Sequence, residues 1–320
     1  MKAIVQHKYG APEAVLGLQD IDRPVVGADD VLVRVRAASI TVADWRIVRG
    51  SPSVMRMATG LRRPKEPVPG TDVAGEVEAV GANVAALRPG DAVFGWCHGA
   101  FAEYACAPED HFVPKPARLT FEQAAAIPEA GCTALQGLRD QGRVQPGQTV
   151  LIIGASGGVG TTAVQIAKAF GADVTGVCST RNVELVRSIG ADQVIDYARE
   201  DVTRGQRRYD VIFQLAGTHS PSVLRRVLTP KGTLVLSSGQ GRLAGIDRIV
   251  KAMVSSPFVR QRHAVWTAFP NHENLMTLKE LIDAGKVTPI IDRAYPLSET
   301  PAAVGYVEAG HTRGRVAIAI

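Results

Sequence analysis

The sequence has little of what marks a disulfide, zinc or membrane protein. Its four cysteines are too far apart for a disulfide framework or a zinc-ligand spacing. We therefore expect small buried or half-buried thiols at Cys97, Cys106, Cys132 and Cys178. No apolar run is long enough to cross a bilayer, and the first ten residues, MKAIVQHKYG, contain no apolar signal core. These absences predict a cytosolic protein without a membrane segment.

A clustered basic stripe is also missing. The formal net charge is +5, but the arginines are scattered, whereas a nucleic-acid-binding surface usually concentrates them. We expect no nucleic-acid partner, and we interpret the charge as an aid to binding a phosphorylated cofactor. The composition is that of a globular protein, with 46% hydrophobic residues and 32 glycines. The length of 320 residues exceeds what one ordinary core needs, so two domains are expected.

Short alternating strands dominate the chain up to about Arg118. Residues 31–37, VLVRVRA, alternate apolar with basic side chains, as a half-exposed strand does. Strands are also predicted at residues 73–80 and 92–94, and turns rich in glycine and proline lie beside them. This pattern predicts an antiparallel, barrel-like β domain.

The middle of the chain alternates strands with helices. Residues 150–153 form a continuous apolar run, which is typical of a parallel strand covered on both faces. Helices are predicted at residues 161–170, 183–189 and 221–228, and strands at 173–178, 193–195, 210–215 and 233–237. This repeated alternation predicts a doubly wound parallel sheet.

The end of the chain lacks further alternation of this kind. A helix is predicted at residues 273–284 and a strand at 315–320, and we expect this tail to return to the first domain. The predicted organisation is a β domain made of residues 1–118 and 268–320, with an α/β domain of residues 119–267 between them.

The strongest local signal is the turn at residues 154–160, GASGGVG, between an apolar strand and an amphipathic helix. A dinucleotide diphosphate needs backbone N–H groups pointing at it and no side chain in its way, which glycines at a helix N-terminus provide. The turn departs from the strict G-x-G-x-x-G pattern because Ala155 occupies the first position. An ordinary strand-to-helix turn is the alternative, but the strand before and the helix after favour nucleotide binding. The predicted contacts are Ser156, Gly157, Gly158, Val159 and Gly160.

The end of the second parallel strand distinguishes NAD from NADP. An acid there would hydrogen-bond the ribose 2′-OH and repel a 2′-phosphate. The sequence instead has Ser179, Thr180 and Arg181, two hydroxyls and a planar guanidinium that suits phosphate oxygens. The hydroxyls could also cap the next helix, and the two roles can coexist. The predicted cofactor is NADPH.

Several motifs together resemble a known family. They are ASITVADWR at residues 38–46, PGTDVAG at 69–75, RPGD at 88–91, GCTA at 131–134, the glycine turn, and GKVTP at 285–289. With these motifs the chain resembles the medium-chain dehydrogenase/reductase superfamily, and within it the zinc-independent quinone oxidoreductase branch. The resemblance implies a GroES-like β-barrel domain interrupted by a Rossmann domain, with the active site in the cleft between them. Relatives are often dimers, so the resemblance also implies a homodimer.

The resemblance assigns further site residues by position. It places Thr133 near the nicotinamide and Tyr197 beside the adenosine phosphate, although a packed surface aromatic is an equally open interpretation of Tyr197. Asp44 is either a site residue or the cap of the following turn. Thr41 stands where close relatives usually carry an asparagine that borders the nicotinamide or the substrate. The remaining implied cofactor contacts are Leu215, Ala216, Gly217, Ser237, Ser238 and Gly239.

The resemblance also bears on the chemistry. Zinc-dependent members carry Gly-His-Glu where this chain has Gly70, Thr71 and Asp72, so no metal site is expected. Without a Lewis acid, hydride transfer favours an activated acceptor such as a quinone or an enone. Tyr9, Asp44, Trp45 and solvent are the candidate proton donors. Two alternatives remain: an enoyl thioester reductase, which needs a deep or basic cleft for coenzyme A phosphates, and an NADPH-binding sensor or structural protein of low turnover.

Overall fold

The chain forms two compact units in a computed structural model that describes residues 1–237, 261–265 and 268–320. The first unit comprises Met1–Cys132, Pro270–Asp283 and Pro289–Ile320. The second comprises Thr133–Phe269 and Ala284–Thr288. No helix among the described residues is long and apolar enough to cross a membrane.

Strands and helices are numbered here in chain order. The strands are β1 (Lys2–Gln6), β2 (Leu16–Asp20), β3 (Asp30–Ile40), β4 (Asp72–Val80), β5 (Ala92–Trp96), β6 (Tyr104–Pro108), β7 (Phe112–Pro114), β8 (Thr149–Ile153), β9 (Asp173–Cys178), β10 (Gln193–Asp196), β11 (Tyr209–Gln214), β12 (Leu228–Leu236), β13 (Arg262–Val265), β14 (Ile291–Pro296) and β15 (Arg315–Ala319). The α-helices are α1 (Pro12–Val15), α2 (Val42–Arg49), α3 (Arg56–Thr59), α4 (Phe121–Ala125), α5 (Pro128–Leu135), α6 (Gly158–Ala169), α7 (Val183–Ser188), α8 (Pro221–Leu224), α9 (His272–Asp283) and α10 (Thr300–Glu308). Helix α5 continues as a π-helix over Gln136–Gly142.

The first unit is built on a seven-stranded sheet. Its strand order is β14-β15-β3-β4-β5-β7, and β6 also pairs with β3. The long strand β3 pairs with β4 along one edge, and with β6 and β15 along successive parts of the other edge. This pairing fits the predicted barrel-like domain. The apolar faces enclose one core that includes Val33, Phe101 and Ile318. Because β15 pairs antiparallel with β3, the end of the chain returns to the first unit, as predicted.

The second unit contains the predicted parallel sheet. Its order is β10-β9-β8-β11-β12-β13, and each neighbouring pair is parallel. The central strand β8 is buried from Val150 to Ile153, because helices cover both faces of such a sheet. The strand order changes direction between β8 and β11, and the carboxyl ends at such a point form the usual ligand crevice of the fold.

Some details differ from the sequence predictions. Strand β13 was not predicted, because its four residues, RHAV, lack the apolar run that reveals a buried strand. The helix predicted at residues 221–228 ends at Leu224, continues as a 3-10 helix to Val227 and is followed directly by β12. Strand β14 was not predicted either; it pairs parallel with β15, because α10 carries the chain back to the same end of the sheet. The cysteines are free thiols, three buried and one half-buried, as expected.

Candidate active site

The predicted cofactor residues of the second unit follow the carboxyl ends of its parallel strands. The glycine turn follows β8, residues 179–181 follow β9, Tyr197 follows β10, residues 215–217 follow β11, and Ser237 follows β12. The backbone N–H of Leu215 donates to the Ile153 carbonyl at 3.0 Å, and that of Ser237 donates to Gln214 at 3.3 Å. These bonds join the ends of neighbouring strands into one edge. Ser238 and Gly239 lie outside the described residues.

The turn after β8 has a shape that only glycine fits at two positions. Gly154 has a φ of 91°, in the left-handed region, and a Cβ there would lie 2.8 Å from the Cβ of Ala216. A Cβ on Gly160 would lie 2.0 Å from the Gly154 carbonyl oxygen. Helix α6 can therefore begin at Gly158 and pack closely against β8, three residues earlier than predicted.

Gly157 has a different environment. It is the N-cap residue of α6, with φ −82° and ψ 177°, and its helix end has no side-chain cap. A Cβ on Gly157 would meet no atom closer than the Gly154 carbonyl oxygen at 3.7 Å. The space above the helix end is thus open, and the N–H groups of Gly158, Val159 and Gly160 have no partner within the helix. This is a cradle for an anionic group, and a dinucleotide diphosphate fits its chemistry.

Asn182 was missed by the sequence reasoning, although it links two of the predicted residues. Its side-chain amide donates to the Oγ of Ser156 at 2.9 Å and to the Oγ of Ser179 at 3.2 Å. Asn182 is 4% exposed, and its Oδ1 is buried without a hydrogen-bond partner. Because both serine oxygens accept from the amide, each serine hydroxyl keeps its hydrogen available for a phosphate oxygen. The only sequence signal was an amide three residues after Ser179.

The loop after β9 shows how the other predicted phosphate contacts are arranged. The hydroxyl of Thr180 donates to Asp196 Oδ2 at 2.6 Å, so its hydrogen is already committed. This bond, above all, lowers the pKa of Asp196, and Arg199 lies 3.4 Å from the same oxygen. Ser179 makes no side-chain capping bond, so that alternative role is wrong for it. Arg181 is exposed.

Tyr197 was open to two interpretations. Its ring is 63% exposed, which does not fit a packed surface aromatic. Its backbone N–H donates to the carbonyl of Cys178 at 3.1 Å, so Tyr197 stands directly beside the end of β9.

In the first unit, Thr41 and Asp44 form a capping box. Thr41 is the N-cap of α2: its Oγ1 accepts from the Asp44 N–H at 3.1 Å, and its own N–H donates to Asp44 Oδ2 at 2.7 Å. Thr41 is fully buried and Asp44 is 2% exposed. Of the two roles left open for Asp44, these contacts show the cap. Burial raises the pKa of Asp44 to about 6, although the bonds to Thr41 lower it.

This raised pKa predicts a pH-dependent difference between the protein and Asp44→Asn, in which the amide oxygen still accepts from Thr41. The buried carboxylate is ionised at lower pH in the unfolded chain than in the folded one. Its contribution to stability is therefore fully present below the ordinary value of 3.8 and is lost as pH rises to about 6. Relative to the variant, the wild-type free energy of unfolding should fall by about 3 kcal/mol between these limits. Urea unfolding of both proteins across this range measures it, and a difference that stays constant with pH would contradict it.

A buried ionic cluster surrounds Asp72, which follows Thr71. The guanidinium of Arg315 lies 2.6 Å from Asp72 Oδ2 and 3.1 Å from Glu129 Oε2. Asp72 is fully buried, and both its oxygens accept from the Glu129 N–H at 3.2 Å, in the first turn of α5. The pKa of Asp72 is raised overall, because burial has the largest effect on it and Arg315 offsets that effect only in part. The sequence reasoning noted Asp72 only as a departure from Gly-His-Glu and gave no signal for Arg315.

The donor set around this cluster does not fit a zinc ion. The Asp72 carboxylate is already bound to a guanidinium and to a helix N-terminus, and Thr71 stands in place of the histidine ligand. Within residues 1–237, 261–265 and 268–320, no three His, Cys, Asp or Glu side chains gather where they could share a metal ion.

The remaining predicted residues are placed as follows. Thr133 lies on α5 and is 5% exposed. The hydroxyl of Tyr9, a candidate proton donor, donates to the Gly60 carbonyl at 2.6 Å. Trp45 lies on α2 and is half-buried against the core of the first unit. Tyr9 is thus already engaged with backbone.

The fold and the glycine cradle define a dinucleotide-binding protein with a second, barrel-like unit, and comparisons with known proteins identify the family. Residues 27–117 match the alcohol dehydrogenase GroES-like domain, and residues 189–318 match a family described as zinc-binding dehydrogenase. The chain is 32% identical to an Arabidopsis thaliana chloroplast envelope quinone oxidoreductase homolog, over 99% of this chain and 98% of that protein. It is 31% identical to an Arabidopsis thaliana chloroplastic NADPH-dependent alkenal/one oxidoreductase, over 99% and 79%.

A solved structure agrees with these sequence matches. The quinone oxidoreductase from Coxiella burnetii superposes with a TM-score of 0.86 and 32% identity, over 100% of this chain and 99% of that one. The chain therefore belongs to the medium-chain dehydrogenase/reductase family, in its quinone oxidoreductase-like branch. This confirms the predicted family and fold class.

Proposed function

We propose that this chain is an NADPH-dependent oxidoreductase that transfers hydride to a quinone or an enone without zinc. The observation that carries the proposal is the open cradle at Gly157, where an added Cβ would meet no described atom closer than 3.7 Å and the N-terminus of α6 has no side-chain cap. Relatives named as a quinone oxidoreductase homolog and an NADPH-dependent alkenal/one oxidoreductase support the acceptor class and the cofactor.

In this proposal the residues of the second unit bind the cofactor. The first-turn N–H groups of α6 and the Ser156 hydroxyl hold the diphosphate, and Ser179 with Arg181 contacts the 2′-phosphate. The buried Asn182 amide fixes both serines as donors. Tyr197 flanks the adenosine phosphate, and residues 215–217 with Ser237–Gly239 follow the two riboses toward the nicotinamide.

NADPH is favoured over NADH because no acid ends β9 itself. The carboxylate of Asp196, at the end of the neighbouring strand β10, accepts from Thr180 and lies close to Arg199, which reduces its repulsion of a phosphate. We expect kcat/KM to be higher with NADPH than with NADH. Steady-state kinetics with each nucleotide and one quinone measures the ratio, and a preference for NADH would reject this part of the proposal.

Asn182→Ala tests the arrangement of the serines. Removing the amide frees both serine oxygens and no longer fixes the direction of their hydroxyl hydrogens. We therefore expect NADPH affinity to fall about tenfold, which is about 1.4 kcal/mol or the net worth of one hydrogen bond. NADH should lose less, because it lacks the phosphate that Ser179 contacts. Nucleotide titrations measure both constants. Asn274→Ala is the control, because Asn274 is equally buried but lies in the first unit. Equal losses for NADPH and NADH would contradict the role given to Ser179.

NADPH supplies the hydride when bound, and the protein aligns it with the acceptor and excludes water. Thr41 and Thr133 are the residues proposed to border the nicotinamide and the acceptor. The Thr41 hydroxyl oxygen accepts from the Asp44 N–H, so the capping box does not use its hydrogen. Asp44 positions Thr41 as its capping partner. A reduced quinone takes its proton from water, so no dedicated acid is required.

A substrate panel tests the activity directly. Purified protein is mixed with NADPH and a set of quinones and enones, and the loss of nicotinamide absorbance is followed. We expect consumption with at least one acceptor. Binding of NADPH without consumption across the panel would favour the sensor or structural alternative instead. A cytosolic location, a homodimer and the absence of a nucleic-acid partner are further parts of the proposal.

A further inference from the structure

The first unit contains a cavity of about 540 Å³ with a basic wall. Gln6 at the end of β1 and His7 after it form one side, and residues 61–65 with Pro67 form the other. Glu66 lies in the same exposed segment but is not part of the wall. Arg62, Arg63 and Lys65 line it, and no acid does. Its volume falls in the range of small-molecule sites.

The three cations of this pocket differ from most others in the unit. Arg36, Arg49 and Arg315 each pair with a glutamate or an aspartate. In the described part of the chain, by contrast, the exposed side chains of Arg62, Arg63 and Lys65 have neither an ion pair nor a hydrogen bond. Three like charges around one cavity create a positive potential that an anion would neutralise.

A cavity in the second unit has a different charge pattern. It lies between α7 and β10, with a volume of about 600 Å³. Its wall mixes three acids, Glu184, Asp196 and Glu200, with two bases, Arg187 and Arg199. The wall of the cavity beside β1 contains bases and no acid.

The backbone that carries these cations is fixed at three points. The Tyr9 hydroxyl donates to the Gly60 carbonyl at 2.6 Å, the Lys65 N–H donates to Thr59 at 2.8 Å, and the Gln6 N–H donates to Pro67 at 2.7 Å. A site with a fixed backbone loses less conformational entropy on binding than a flexible loop does.

We propose that this pocket, lined by Arg62, Arg63 and Lys65, binds a phosphate-bearing small molecule. Two adjacent guanidinium groups match phosphate oxygens in pairs, and the lysine adds a point charge. The cavity exceeds the size of a single phosphate, which favours a diphosphate or a larger phosphorylated group.

The phosphate group has two sources. The Gln6 amide at the cavity wall donates to the Val48 carbonyl at 2.8 Å, on the helix α2 that begins after Thr41. One source is the phosphorylated tail of the acceptor itself, and this source rests on the proposed function. The other is a free phosphorylated metabolite, which does not.

Titration calorimetry with inorganic pyrophosphate tests the pocket, with the protein saturated by NADP⁺ so that the nucleotide site is filled. We expect saturable binding of one pyrophosphate that weakens with salt. The double variant Arg62→Ala/Arg63→Ala should bind at least about tenfold more weakly. The control Arg34→Ala/Arg88→Ala removes the same charge from exposed arginines elsewhere in the unit and should bind as wild type does. Absence of saturable binding, or an equal loss in the control, overturns the proposal.

Kinetics separates the two sources. If the tail of the acceptor occupies the pocket, pyrophosphate competes with crotonyl-coenzyme A and the double variant raises KM for it, while turnover of uncharged 1,4-benzoquinone is unchanged. If a free metabolite occupies it, pyrophosphate binds without competing with either acceptor. Both results support the pocket. Failure of the proposed function is distinguishable, because then no acceptor is reduced while pyrophosphate binding and its loss in the double variant persist.

Discussion

Gly157→Asp is expected to abolish NADPH binding while leaving the protein as stable as the wild type. The backbone at Gly157 is extended and the space beside it is open, so the aspartate enters without a clash. Aspartate is also a favoured N-cap, and its charge suits the helix N-terminus. The same charge, however, would occupy the position proposed for the cofactor diphosphate. Two charges about 4 Å apart repel by roughly 4 kcal/mol near a protein surface, so we expect affinity to fall by more than about a hundredfold.

Gly157→Asn is the matched control for this result. Asparagine has nearly the same shape and also caps helices well, but it carries no charge. It should weaken NADPH binding by its size alone, and so less than aspartate does. Fluorescence titration measures affinity and thermal unfolding measures stability. If the aspartate variant binds NADPH as tightly as the wild type, the diphosphate does not lie at this turn.

Arg315→Met is expected to cause the largest loss of stability. The substitution leaves the fully buried Asp72 without its cation, beside Glu129, which lies close to the same guanidinium. Removing one partner of a buried ion pair typically costs about 3–5 kcal/mol. Arg315 lowers the pKa of Asp72, so its removal allows that carboxyl to stay protonated to higher pH. The loss should therefore be smaller at about pH 5 than at about pH 8.

Chemical denaturation measures this loss, and two variants define its origin. Arg49→Met breaks a bidentate but half-exposed ion pair with Glu308. It should lower the free energy of unfolding by no more than about 1 kcal/mol. Arg315→Met/Asp72→Leu removes both buried charges and should be more stable than Arg315→Met alone. Equal losses from Arg315→Met and Arg49→Met would show that the buried cluster contributes nothing beyond a surface pair.

The sequence predicted those parts of the molecule that depend on local patterns. The apolar run of residues 150–153 and the glycines after it identify a central parallel strand and its turn, because burial on both faces and close backbone approach each demand particular residue types. Strand β13 could not be predicted in the same way, because Arg262 and His263 interrupt the apolar run that would indicate a buried strand. Its place in the sheet depends on pairing with β12, which is a long-range contact.

The polar contacts of the site were the harder part. Asn182 and Arg315 act through partners 26 and 243 residues away in sequence, and no spacing rule connects them. Asp44 was assigned two roles, and only the three-dimensional contact with Thr41 distinguished them. The buried ion pair was only partly predictable, because the sequence shows Thr71 and Asp72 as a departure from Gly-His-Glu but does not show the contact of Asp72 with Arg315.

The most direct measurement of the central claim is a titration of the purified wild-type chain with NADPH and, separately, with NADH. The turn after Ile153, with its open Gly157 and its two serines held by Asn182, predicts saturable binding of one nucleotide per chain, tighter for NADPH. A chain that binds neither nucleotide would contradict the assignment of the cradle, and with it the proposed activity.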